Sequence, residues 1–192
     1  MNNSEKVLRA FIAIELDKEI QAALLKAIKI LKEKDDKIRW AKPSGIHLTL
    51  KFLGKIKSEF IPEIESVLKK TAKKHTPFSL CIKGIGTFPL RSQKPRIIWA
   101  GIEENESLSS LHKELDKNLI KLGFPGEKRK SQPHLTLGRI KSYLHIDNLL
   151  SKIPNYQEFE FGKKEVSKLV LYESILSPSG AKYKKIIEQE LA

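Results

Sequence analysis

The chain has 192 residues, 40% hydrophobic and 31% charged, with 36 Lys and Arg against 23 Asp and Glu for a formal net charge of +13. That length suits one sizeable domain or two small lobes on a shared core, and the apolar runs are far too short to span a bilayer. A single cysteine, Cys81, excludes an intrachain disulfide and suits a reducing cytoplasm.

The elements alternate between strand-like and helix-like runs, which predicts a mixed α/β or α+β fold. The opening Met1-Asn2-Asn3-Ser4-Glu5-Lys6 lacks the basic and apolar regions of a signal peptide. Leu8 to Glu15 reads as a strand. Asp17 to Lys34 reads as an amphipathic helix with Ile20, Leu24, Ile28 and Leu31 on one face. Ile46 to Phe52 alternates as a strand does. Ser58 to Lys74 is a second helix, with Pro62 tolerable in its first turn. Phe78 to Ile85 and Arg96 to Ile102 are strands. Ser107 to Leu122 is a helix stopped by Gly123. Leu135 to Ile140 and Val166 to Tyr172 are further strands, and the tail from Lys182 to Leu191 leans towards a strand.

A shift of 87 residues lays the chain over itself. Arg9-Ala10-Phe11-Ile12-Ala13 meets Arg96-Ile97-Ile98-Trp99-Ala100, and Leu24 and Ile28 meet Leu111 and Leu115. Ser44 meets Ser131, and His47-Leu48-Thr49-Leu50 meets His134-Leu135-Thr136-Leu137. Strand, helix and second strand keep their spacing without a gap. Such self-similarity indicates a duplicated unit, and two copies predict two lobes about a pseudo-twofold axis.

In a strand, His47 and Thr49 share one face and Ile46, Leu48, Leu50 and Phe52 share the other. His134 and Thr136 repeat the arrangement. Imidazole titrates near pH 6.5, so one ring can act as base while another acts as acid. Threonine hydroxyls can donate to the non-bridging oxygens of a phosphate. In-line displacement at phosphorus puts nucleophile and leaving oxygen on opposite sides, which two flanking imidazoles match. A single His-x-Thr in a strand is ordinary, and a repeat can preserve packing alone. Packing, however, has no need of the histidines.

Metal chemistry fits poorly. Protein zinc sites use three or four ligands, and no Cys pair, His-Glu-x-x-His or Asp-rich cluster accompanies either tetrad. His75, His112 and His145 lack counterparts in the repeat and read as surface or helix residues. Cys81 reads as buried and inert. Gly84-Ile85-Gly86 lacks the helix and third glycine of a phosphate loop. The positive charge attracts polyanions, nucleic acid first among them, though a lysine-rich solubilising surface has the same composition.

The paired tetrads resemble those of the 2H phosphoesterases, and more closely the RNA 2′,3′-cyclic phosphodiesterase group, historically called 2′-5′ RNA ligases. The resemblance covers nearly the whole chain. It includes Arg9-Ala-Phe-Ile-Ala-Ile, Arg39-Trp40, His47-Leu-Thr-Leu-Lys-Phe-Leu-Gly54 and Arg96-Ile-Ile-Trp-Ala-Gly101. It continues through Pro133-His-Leu-Thr-Leu-Gly-Arg139 to Ser174-Ile-Leu-Ser-Pro-Ser-Gly-Ala-Lys-Tyr183. The resemblance implies a bilobal α+β fold, two antiparallel sheets with outer helices and a central cleft, forming one domain of two interleaved lobes over residues 1–192. It implies metal-free hydrolysis of a terminal 2′,3′-cyclic phosphate to a 2′-phosphomonoester. His47 would be the proton donor to the leaving 3′ oxygen, His134 the proton acceptor from water, and Thr49 and Thr136 the phosphate-binding residues. Sequence symmetry alone leaves donor and acceptor unassigned.

Arg139 follows the second tetrad and could reach a phosphate, but strict alternation sets it opposite His134. Arg129 and Lys130 precede that tetrad and are candidates for the RNA backbone. Phe52 and Trp99 could stack on a base, although alternation assigns Phe52 to the core. The expected partner is RNA ending in a 2′,3′-cyclic phosphate, tRNA fragments included. The protein is expected to be a cytoplasmic monomer with no cofactor and no membrane. Two alternatives remain open: the reverse reaction, ligation of tRNA halves, and a non-catalytic RNA-binding module.

Overall fold

The computed structural model describes residues 6–34, 36–90, 92, 94–127, 132–143, 146–177 and 180–192. The first repeat begins with β1 (Val7–Glu15), α1 (Lys18–Leu31) and the short β2 (Ile38–Trp40). Helix α1 buries Ile20, Leu24, Ala27, Ile28 and Leu31, one stripe at helical spacing. A 3₁₀ turn at Pro43–Gly45 leads into β3 (His47–Lys57). The predicted helix from Ser58 is a 3₁₀ turn over Ser58–Phe60 followed by α2 (Ile61–Ala72), with Pro62 in the first turn where its missing N–H costs nothing. Next comes β4 (Phe78–Phe88).

The second repeat supplies β5 (Ile97–Ile102), α3 (Glu106–Ile120) and β6 (His134–Ile140). The Asn105 side chain caps α3 by accepting from the Leu108 amide at 2.9 Å. Then follow α4 (Ile146–Lys152), β7 (Glu160–Val166), β8 (Lys168–Ser177) and β9 (Gly180–Glu190). The strand expected over Val166 to Tyr172 straddles the tight β7–β8 reversal at Ser167. β7 itself shows little apolar signal, because only Phe161 and Val166 of its seven residues are buried. The tail is a strand, as its pattern suggested.

All the strands pair antiparallel, in the order β7-β4-β5-β6-β3-β1-β8-β9, with β2 added to β6. The two halves of this sheet meet at a single rung, Leu48 opposite Leu135. Those residues lie 87 apart (135 − 48), so each is the other's repeat counterpart. An antiparallel rung between equivalent residues is where a local twofold axis must pass. Counting outward from the axis, one half reads β3-β1-β8-β9 and the other β6-β5-β4-β7. β4 closes the first repeat yet lies in the second half, and β8 makes the reverse crossing.

The helices cover one face. Ala10, Ile12 and Ile14 of β1 join Leu24, Leu68, Leu111 and Leu115 of the helices in the main core. Phe11, Ala13, Val170 and Tyr172 form a second cluster on the opposite, open face.

Candidate active site

In the β1–β3 and β5–β6 ladders the extra residues all fall on β3 and β6, so β1 and β5 alternate evenly and fix which face each partner occupies. In β1, Phe11, Ala13 and Glu15 point to the open face. Glu15 pairs with His47 and Ala13 with Thr49, so both first-tetrad residues stand on that face. In β5, Ile98 and Ala100 are fully buried against the helices, leaving Trp99 and Gly101 on the open side. Gly101 pairs with His134 and Trp99 with Thr136. Around the Leu48–Leu135 rung, His47 therefore neighbours Thr136, and Thr49 neighbours His134. The two histidines stand on a diagonal, a relation that sets residues about 7–8 Å apart on an antiparallel ladder, with Cβ atoms somewhat closer. Such a span admits one phosphoryl group with a hydrogen bond to each ring.

Strict alternation does not hold past the tetrads. The register of β3 skips Leu50, between Ile12–Lys51 and Ala13–Thr49, and that of β6 skips Leu137, between Ile98–Gly138 and Trp99–Thr136. These bulges are repeat equivalents (137 − 50 = 87). A bulge inserts one residue and reverses the facing of the residues beyond it. Phe52 thus pairs with Phe11 on the open face and is 69% exposed, not in the core as alternation had it. Arg139, its counterpart, pairs with Ile97 and is exposed on the open face, the same face of the sheet as His134.

Helix α3 holds the first bulge. His112 Nε2 lies 2.9 Å from the Leu50 carbonyl, and one turn later Asp116 meets the buried Lys51 ammonium at 2.5 Å. Lys51 also donates to the Pro125 carbonyl at 2.7 Å. Burial works against the Asp116 charge, but the bonds from Lys51 and the Glu127 amide hold its carboxyl below the usual range. His112, read as a surface or helix residue, does lie on α3 and is part of this clasp.

The two imidazoles sit in different surroundings. His47 is boxed by aromatic rings. Phe11 stacks on it with centroids 4.7 Å apart, Tyr183 meets it edge-on at 5.0 Å, and Tyr172 lies at 6.2 Å. Burial in this box lowers its pKa from 6.5 to about 4, so the ring is neutral near pH 7. Glu15, across the ladder, does not offset this. Its carboxylate holds Lys185 Nζ at 2.7 Å and the Tyr172 hydroxyl. Burial first, then that bond to Glu15, pushes the Tyr172 phenol well above its ordinary value.

His134 is anchored from behind. Its Nδ1 lies 2.9 Å from the Gln132 carbonyl. A carbonyl only accepts, so Nδ1 carries the hydrogen and Nε2 presents its lone pair in the neutral ring. Phe88 touches this ring edge-on at 5.0 Å and packs against Trp99 at 5.2 Å. Trp99 lies flat over Gly86, where a Cβ would come within 2.3 Å of its ring. Arg129, Lys130 and His145 lie outside the described residues. Cys81 is partly exposed on β4, not buried as its run suggested.

A model of the LigT-like phosphoesterases matches the chain twice, over residues 14–99 and 101–183. The chain belongs to the LigT-like phosphoesterase family. The two matches start 87 residues apart (101 − 14), the period of the internal repeat. The chain is 35% identical over 176 residues to a Methanothermobacter thermautotrophicus protein named RNA 2′,3′-cyclic phosphodiesterase, covering 92% of this chain and 95% of that one. A protein of the same name from Aquifex aeolicus is 37% identical over 189 residues, covering 95% and 97%. The fold is similar to that of the crystal structure of TT0787 from Thermus thermophilus, with a TM-score of 0.80, 28% identity and coverage of 96% and 98%.

Proposed function

We propose that this LigT-like phosphoesterase hydrolyses the 2′,3′-cyclic phosphate at the end of an RNA to a 2′-phosphomonoester, with His47 as proton donor and His134 as proton acceptor. The observation that carries the reading is the placement of two His-Thr pairs on one open face, around a twofold rung. The cyclic phosphate would sit over that rung, its non-bridging oxygens accepting from the Thr49 and Thr136 hydroxyls.

Water attacks phosphorus in line with the P–O3′ bond as His134 Nε2 takes its proton. The P–O3′ bond breaks, and His47 gives its proton to the departing O3′. The product keeps the phosphate on O2′. His47 then regains a proton from solvent as His134 loses one. The aromatic box makes His47 a reluctant cation, so the anionic substrate itself must favour its protonation on binding. The Gln132 carbonyl fixes the tautomer that leaves His134 Nε2 free to accept. Arg139, beside Thr136 on the open face, adds positive charge where negative charge develops.

The names of the relatives support this substrate class, and tRNA fragments with such ends fall within it. The lone cysteine suits a cytoplasmic protein. The test incubates purified protein, with EDTA present, with an oligonucleotide ending in a 2′,3′-cyclic phosphate. Opening of the ring is expected, with His47→Ala and His134→Ala each lowering the rate by about 10² to 10⁴. A persisting cyclic end would refute the activity, and loss of turnover with EDTA would refute the mechanism.

A further inference from the structure

Arg39 belongs to no tetrad and has no assigned role, yet its placement is specific. β2 extends the line of β3 backwards along β6, beyond His47. Arg39 pairs with Arg139 and Trp40 with Gly138, and Ala41 N donates to the Leu137 carbonyl at 2.7 Å. Direct ladder partners share a face, so Arg39 and Arg139 stand side by side on the open face, both exposed. Ile38 and Trp40 point the other way, where a Gly138 Cβ would lie 3.0 Å from both. Asp36 pins the strand, accepting from Trp40 Nε1 at 2.9 Å and the Ile38 amide at 3.2 Å. The Arg39 Nη2 reaches the β8–β9 hairpin, 2.9 Å from where a Gly180 Cβ would be. Among the described residues, neither arginine has an ion-pair partner.

The proposed chemistry gives this pair a direction. β3 and β6 run antiparallel, so His47 and Arg39 lie on the same side of the central rung as Thr136 and Arg139. His134 lies on the other side, with Phe52, Lys55 and Arg9. Arg9 and Lys55 are themselves a ladder pair on the open face. The terminal ribose carries O3′, the leaving oxygen, and must sit on the side of His47. Water must enter on the side of His134. A 3′-terminal cyclic phosphate has RNA attached only through that ribose.

We propose that the RNA strand leaves the site past His47 and that Arg39, beside Arg139, binds the phosphodiester next upstream of the cyclic end. The substrate favoured is then an oligonucleotide over a cyclic mononucleotide. This rests on the catalytic reading above, and on His47 rather than His134 being the donor.

The test compares kcat/KM for 2′,3′-cyclic AMP with that for a short oligonucleotide ending in adenosine 2′,3′-cyclic phosphate. Arg39→Ala should lower the oligonucleotide-to-mononucleotide ratio about tenfold, the scale of one charged hydrogen bond. It should also make the salt dependence for the oligonucleotide shallower by about one. The double variant Arg9→Ala/Lys55→Ala, on the opposite side, should keep the wild-type ratio. An unchanged ratio in Arg39→Ala, or equal loss on both substrates, overturns the path. A selective loss in the Arg9/Lys55 variant reverses its direction and overturns it too. Wild-type turnover of neither substrate would remove the catalytic reading and this path together, whereas a failure at Arg39 alone leaves the catalytic reading standing.

Discussion

The aromatic box around His47 has a measurable cost. Holding the imidazole at about pH 4 instead of 6.5 corresponds to 2.5 pK units at 1.36 kcal/mol each, on the order of 3 kcal/mol against the charged ring. In the unfolded chain the same ring titrates near 6.5. Between pH 6.5 and 4 the unfolded state therefore binds more protons, and stability falls as pH is lowered through that window. Above pH 6.5 the contribution is fully present. The assay is proton NMR of the His47 Hε1 resonance against pH, alone and with a 2′-phosphorylated nucleotide. The free protein should give a midpoint near 4, and the bound phosphate should raise it. Phe11→Ala, which opens the box, should move the free midpoint towards 6.5. A free midpoint at or above 6.5 would refute the desolvation argument. A ligand that leaves His47 neutral would refute its role as donor and exchange the two histidines.

Thr49→Val and Thr136→Val keep shape while removing a hydroxyl, and each should weaken inorganic phosphate binding, measured by calorimetry, by about 1 kcal/mol. Asp116→Ala leaves the buried Lys51 ammonium only the Pro125 carbonyl at 2.7 Å and the more distant Glu127 carboxylate at 3.6 Å, and should cost about 3 kcal/mol in urea unfolding, while Lys51→Met with Asp116→Leu should restore much of it. Phe52→Ala should leave both the melting temperature and KM for an oligonucleotide little changed, because the ring is 69% exposed, supports no core and stands on the side of the rung away from the proposed RNA path. A large loss of stability there would put Phe52 back among the packing residues.

Much of this arrangement is written in the chain itself. The 87-residue repeat contains the twofold rung, and the period-two pattern of His-Leu-Thr-Leu sets both His-Thr pairs on one face. The bulges were hidden from period-two reasoning, since each makes two neighbours, Leu50 with Lys51 and Leu137 with Gly138, turn inward together. One signal was present: alternation put the charge of Arg139 on the core side, and its counterpart Phe52 on the same side, a conflict that an inserted residue resolves. β2 and β7 escaped notice because three residues of β2, and a polar run in β7, carry too little apolar periodicity. Their positions come from hydrogen bonding to β6 and β4. The depressed basicity of His47 is equally illegible locally, because Tyr172 and Tyr183 reach the ring from more than a hundred residues away.

The crossing of β4 and β8 bears on ancestry. A half-length forerunner with a single copy would have lacked the third strand of its own sheet until another molecule lent it one. Kept in this topology, such a chain would work as a strand-exchanged pair, an exchange that fusing the two copies makes permanent. Residues 1–90 and 91–192 made as separate pieces should each stay unfolded and recover native circular dichroism on mixing; either piece folding alone would contradict that history.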